Sequence, residues 1–84
     1  MTTLLFFGRL RDVAGHSQLT CELPAEIDTI AALRVWLADR DPLLGQALQT
    51  PGVRVAVNQT FCVSDAQSTL NAREIAFMSP LSGG

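Results

Sequence analysis

The reactive group that stands out in this sequence is the carboxylate expected on Gly84, the second of two glycines at its end. Neither Gly83 nor Gly84 carries a side chain, so this segment can thread a narrow channel and leave its acyl carbon open to attack. Such a pair arises by chance in about one chain in two hundred, and chain ends are often glycine-rich without purpose. The context adds weight. Pro80 has no N–H to give a ladder and stops the strand before it. The four residues that follow reach about 13 Å when extended. That is too short to build an element and long enough to enter another protein's pocket.

No other group assembles into a site. His16 is the single histidine and stands in a polar turn, with no cysteine or carboxylate pattern beside it. No serine or cysteine nucleophile comes with a histidine base at a telling spacing. There is no metal-ligand cluster and no glycine-rich phosphate loop after a strand, so neither a metal nor a bound cofactor is expected. The carboxylates, among them Asp12, Glu22, Asp28, Asp41 and Glu74, scatter through turns and helix ends as caps and solvated charge. Cys21 and Cys62 are isolated, each beside apolar residues, and read as buried reduced thiols of a cytoplasmic protein.

Charge and hydropathy exclude further classes. A net charge of −2 gives no basic footprint for nucleic acid. No apolar run is long enough to cross a bilayer, and no signal-peptide pattern opens the chain. All six basic residues are arginine, so no side-chain amine is present to accept an isopeptide bond. Eighty-four residues make one small domain, 1–84, ending in a mobile tail over 80–84.

The elements that must present this tail follow from periodicity. Leu4-Leu5-Phe6-Phe7 is an apolar run expected as a central strand buried on both faces. Gly8 and the pair Arg9 and Arg11 bracket Leu10 as the strand leaves the core, and Asp12 to His16 supplies the turn, with Gly15 free to take positive φ. Gln18 to Leu23 alternates, as a half-exposed strand does, and pairs back on the first strand until Pro24. Asp28 and Thr29 are N-caps for a helix from Ile30, with Ile30, Leu33, Leu37 and Trp36 facing a sheet and Arg34, Asp39 and Arg40 in water. Asp41-Pro42 ends it, and a short second turn of helix is expected within Leu43 to Leu48. Val53 to Val57 is a strand, Asn58-Gln59 a tight connection, and Thr60 to Val63 a short edge strand. Leu70 is expected as an apolar anchor ahead of the Asn71-Ala72 turn. Ile75 to Met78 forms the last strand. Strand, strand, helix, strand, short strand, final strand is the α+β order of a β-grasp domain, with the last strand central and beside the first.

Three stretches together resemble the small subunit of molybdopterin synthase. They are Leu5-Phe6-Phe7 with Arg9-Leu10-Arg11, Val55 to Thr60, and Glu74 to Phe77 running on to Gly83-Gly84. The resemblance spans essentially the whole chain; Ser79-Pro80 stands where the family commonly has two prolines. It implies a ubiquitin-like sulfur carrier, catalytically silent alone and active as the sulfur-donor subunit of a heterotetrameric synthase. An adenylating enzyme related to ubiquitin-activating enzymes would activate the Gly84 carboxylate with ATP, and a sulfur-donor enzyme would convert it to a thiocarboxylate. Leu81, Ser82 and Gly83 would then thread the large subunit's active site, where the sulfur attacks a cyclic pyranopterin phosphate. Phe7, Phe77, Met78 and Pro80 would form the apolar patch that meets this partner, with a core role also open for Phe77. A thiamine-pathway carrier, a tRNA-thiolation carrier and a ubiquitin-like protein modifier share the fold and tail, and remain alternatives.

Overall fold

The computed structural model describes residues 1–79; Pro80, Leu81, Ser82, Gly83 and Gly84, and with them the expected mobile tail, lie outside the described residues. Five strands form one mixed sheet in the order β2-β1-β5-β3-β4. They are β1 (Thr2–Phe7), β2 (Gln18–Cys21), β3 (Arg54–Val57), β4 (Thr60–Phe61) and β5 (Glu74–Met78). The helices are α1 (Arg9–Ala14), α2 (Ile30–Arg40) and α3 (Pro42–Leu48).

The expected α+β arrangement is present. The last strand is central, parallel to β1 and antiparallel to β3. Its apolar run is what a strand with neighbours on both edges requires: Ile75, Ala76 and Phe77 are all buried. β1 departs from expectation. Thr2, Leu4 and Phe6 are buried, whereas Leu5 is half-buried and Phe7 is 49% exposed. The helices cover one face of the sheet only, so alternate residues of β1 point away from them.

Thr29 caps α2 by accepting from the Ala32 amide at 3.2 Å. Asp41 ends α2 and starts α3, its Oδ1 accepting from the Leu44 amide at 3.1 Å, with Pro42 in the first helical turn where its missing N–H costs nothing. Ile30, Leu33 and Leu37 enter the core as their spacing predicts. Arg34, expected in water, is half-buried: its Nε lies 2.9 Å from Asp65 Oδ2, without the alignment of a hydrogen bond.

Three local expectations fail for identifiable reasons. The segment after Gly8 is a six-residue helix rather than a turn, closed by Gly15 at φ 83°; one buried residue, Leu10, is too little for a visible period. Leu70 is 65% exposed, and Thr69 and Ala72 take the buried positions. Their places are set by distant backbone partners, Thr69 Oγ1 donating to the Ile27 carbonyl and Thr2 Oγ1 to that of Ala72. Cys21 and Cys62 are free but half-buried. The Asn58-Gln59 connection has both residues at positive φ, 49° and 69°, the twist-matched geometry of a two-residue hairpin.

Candidate functional site

Because β1 and β5 run parallel, their C-terminal ends lie side by side, with Phe7 opposite Met78. The chain therefore leaves β5 beside the β1–α1 turn. Ser79 meets that turn directly. Its hydroxyl accepts from the Arg9 amide at 3.1 Å and faces the Phe7 carbonyl at 3.4 Å. Between those residues Gly8 sits at φ 63°, ψ −136°. A Cβ there would lie 2.2 Å from Ser79 Oγ, so only glycine allows both the backbone angle and the approach.

Strand parity divides the aromatic residues around this point. Phe77 is opposite Phe6 on β1 and Val55 on β3, on the helix-covered face. It is wholly buried and stacks on Phe6 at 5.8 Å with an interplanar angle of 10°. Phe77 is thus a core residue and not part of a partner interface, the correction its register demands. Phe7 and Met78 lie on the opposite face, exposed and half-buried respectively. Pro80 and Leu81 to Gly84 are beyond the described residues, so their expected roles are untouched by this geometry.

The same parity brings residues to the open face that periodicity did not single out. Leu5, Ala76 and Ala56 fall in register across β1, β5 and β3, and Phe61 pairs with Ala56. Phe61 is 49% exposed, with the Arg54 guanidinium 4.2 Å from its ring centroid. An apolar row therefore runs on this face from Phe7 and Met78 to Phe61, with the two rings exposed and the alanines between them, Ala76 and Ala56, buried. The available signal was the alternation of Arg54-Val55-Ala56-Val57, which assigns Ala56 to the face opposite the two valines.

Among the described residues no three His, Cys, Asp or Glu side chains gather to hold a metal ion. His16 is exposed, its ring centroid 6.0 Å from that of Phe6 in an edge-on arrangement. Burial pushes both thiols above the ordinary range, Cys21 against the pull of Arg40 and the N-terminal ammonium, and Cys62 with Asp65 adding to the rise. Neither is an activated nucleophile. A concavity of about 490 Å³ opens at the far end of the sheet, between Thr2, Leu23, Pro24, Ile27 and Ala72. The Thr2 and Thr69 hydroxyls on its wall are already engaged in the hydrogen bonds given above. No described helix is long and apolar enough to cross a membrane.

The model of the ThiS family matches residues 4–84. The chain is 33% identical over 84 residues to the molybdopterin synthase sulfur carrier subunit of Escherichia coli (strain K12), covering all of both chains. It is 32% identical, again over the full length of both, to the subunit of the same name from Haemophilus influenzae. Among solved structures it is similar to SAMP1 from Haloferax volcanii, with a TM-score of 0.76 at 21% identity over 99% of this chain and 98% of the other. A second structure of H. volcanii small archaeal modifier protein 1 gives 0.75 at 18%, over 95% and 97%. At those identities the archaeal proteins speak for the fold, a ubiquitin-like one.

Proposed function

The chain belongs to the ThiS family, and from that premise we propose that it is the sulfur-carrier subunit of a molybdopterin synthase, with Gly84 as the residue that bears the sulfur. The observation that carries this reading is the end-to-end match, through the double glycine, to two sulfur carrier subunits of that enzyme. The fold is compatible with it: the chain leaves β5 at the sheet end where Phe7 pairs with Met78, and both lie on the face opposite the helices.

The chemistry follows from the carboxylate. It is a poor acyl group until activated. Its oxygen attacks the α-phosphorus of ATP on an adenylating enzyme, pyrophosphate leaves, and the mixed anhydride makes AMP the next leaving group. Hydrosulfide released by a donor enzyme adds at the acyl carbon, expels AMP and loses its proton, giving a thiocarboxylate with no change of oxidation state. In the synthase that sulfur attacks a carbon of a cyclic pyranopterin phosphate, and as the C–S bond forms a C–O bond at that carbon breaks, its oxygen leaving protonated or on the phosphate. Water then cleaves the resulting thioester and returns the carboxylate, so each carrier delivers one sulfur and a dithiolene takes two. A side chain on residue 83 or 84 would crowd both attacks at the acyl carbon.

Docking falls to Phe7, Met78 and the strip toward Phe61, with Pro80 as a further contact and Leu81 to Gly83 threading the large subunit. Acids, bases and phosphate-binding groups belong to the partners, the chain itself works in the cytoplasm, and it holds no cofactor. The test is reconstitution. Thiocarboxylated chain plus the large subunit is expected to convert the pyranopterin precursor, and either component alone is not. Turnover by the thiocarboxylated chain without a large subunit would contradict the division of labour.

A further inference from the structure

The first-turn amides of a helix need acceptors from outside it. The residue that precedes α1 is Gly8, which has no side chain to offer, and no side-chain cap comes from it. The acceptor for the Arg9 amide comes instead from 70 residues away, the Ser79 hydroxyl at 3.1 Å. A hydroxyl has one proton to give as well as lone pairs, and Ser79 turns it toward the Phe7 carbonyl at 3.4 Å. One side chain thus spans the whole β1–α1 turn. The fit is close, since a Cβ on Gly8 would meet Ser79 Oγ at 2.2 Å. Immediately before it, Met78 is held by its pairing with Phe7.

We propose that Ser79 is a positioning residue for sulfur loading: its hydroxyl latches the root of the tail to the β1–α1 turn and so sets the direction in which the chain leaves the sheet. The five residues beyond it reach about 17 Å at most. Over so short a reach, the angle at the root decides whether the Gly84 carboxylate meets a pocket in a partner already docked on the Phe7–Met78 face. Without the latch the direction at Ser79 is no longer set, and the effective concentration of the carboxylate in that pocket is expected to fall. The latch rests on the sulfur-carrier reading for its purpose, though not for its geometry.

The test uses the full chain as wild type, Ser79→Ala and Ser79→Thr, with the adenylating enzyme, ATP and sulfide as the sulfur source. Ser79→Ala is expected to speed amide hydrogen exchange at Arg9 and to lower kcat for thiocarboxylation about five-fold, the factor one such hydrogen bond supplies. KM for the chain is expected to hold, because the docking face is intact. The thermal midpoint should fall by no more than about 5 °C. Ser79→Thr restores the hydroxyl and should restore both the Arg9 protection and kcat. A purely structural role would move the midpoint and leave kcat alone. Unchanged exchange at Arg9 in Ser79→Ala, or faster exchange with wild-type kcat, overturns the latch. A wild-type chain that takes up no sulfur overturns the carrier reading itself, and the purpose of the latch with it.

Discussion

Phe6 and Phe77 stack at 5.8 Å on adjacent parallel strands, while the residues that follow them, Phe7 and Met78, pair on the opposite face. One register therefore builds the centre of the core and the root of the docking surface together. Phe77→Ala removes a ring with no exposed surface and is expected to cost about 3–5 kcal/mol by leaving a cavity. Phe7→Ala should leave stability nearly unchanged and weaken binding to the large subunit by about 2 kcal/mol or more, as loss of an aromatic anchor does. Denaturant melts and titration calorimetry on the two variants separate these outcomes; equal effects of both on stability would show that the faces are not distinct.

Removing Gly84, or placing valine at Gly83, is expected to abolish sulfur loading with a stability change within about 0.5 kcal/mol. Among the described residues the core cluster is assembled between Leu4 and Phe77, and neither glycine has a side chain to add to it. Thermal melts beside a loading assay check this. Unfolding on deletion would mean the segment is structural.

Asn58 does two jobs in the β3–β4 turn. It adopts φ 49°, and its Oδ1 accepts from the amides of Arg73 and Glu74 at 2.9 and 3.1 Å. Asn58→Gly keeps the backbone angle and loses the acceptor, at about 1 kcal/mol. Asn58→Ala loses the acceptor and strains the backbone as well, about 2 kcal/mol in all. Chemical denaturation should rank the two in that order.

The thiols should alkylate slowly at neutral pH. Burial raises both Cys21 and Cys62, so the reactive thiolate is scarce until the pH passes the ordinary thiol range. The linked effect on stability has a definite sign. A folded-state value above the unfolded one favours the folded chain below the unfolded value, and that contribution is lost as pH rises through the folded one. Iodoacetamide rates across the alkaline range, with melts at the same pH values, should show reactivity rising as stability declines. Rapid alkylation at neutral pH would contradict the burial.

Much of this was legible in the chain, and the failures share a cause. Ile75 to Met78 read as a central strand because its buried residues are apolar on both faces. Leu4 to Phe7 read the same way and is not the same. Phe7 is apolar for a surface that the sheet leaves open, and composition cannot tell an apolar residue meant for the core from one meant for a partner. Phe77 was ambiguous for that reason until the pairing with Phe6 and Val55 fixed its face. The α1 helix was invisible because its cap is Ser79, distant in sequence, and Thr69 outcompetes Leu70 for burial through a hydrogen bond to Ile27. Local rules recover what local interactions decide. The terminal glycines lie outside the described residues, and their reading rests on their chemistry alone.

The central claim is that Gly84 carries sulfur, and an intact mass spectrum tests it most directly. The full chain is incubated with its adenylating enzyme, ATP and a sulfur source. The account predicts one oxygen exchanged for sulfur, mapped by fragmentation to Gly84. An unchanged mass, while the same enzyme preparation loads an established carrier, would contradict it.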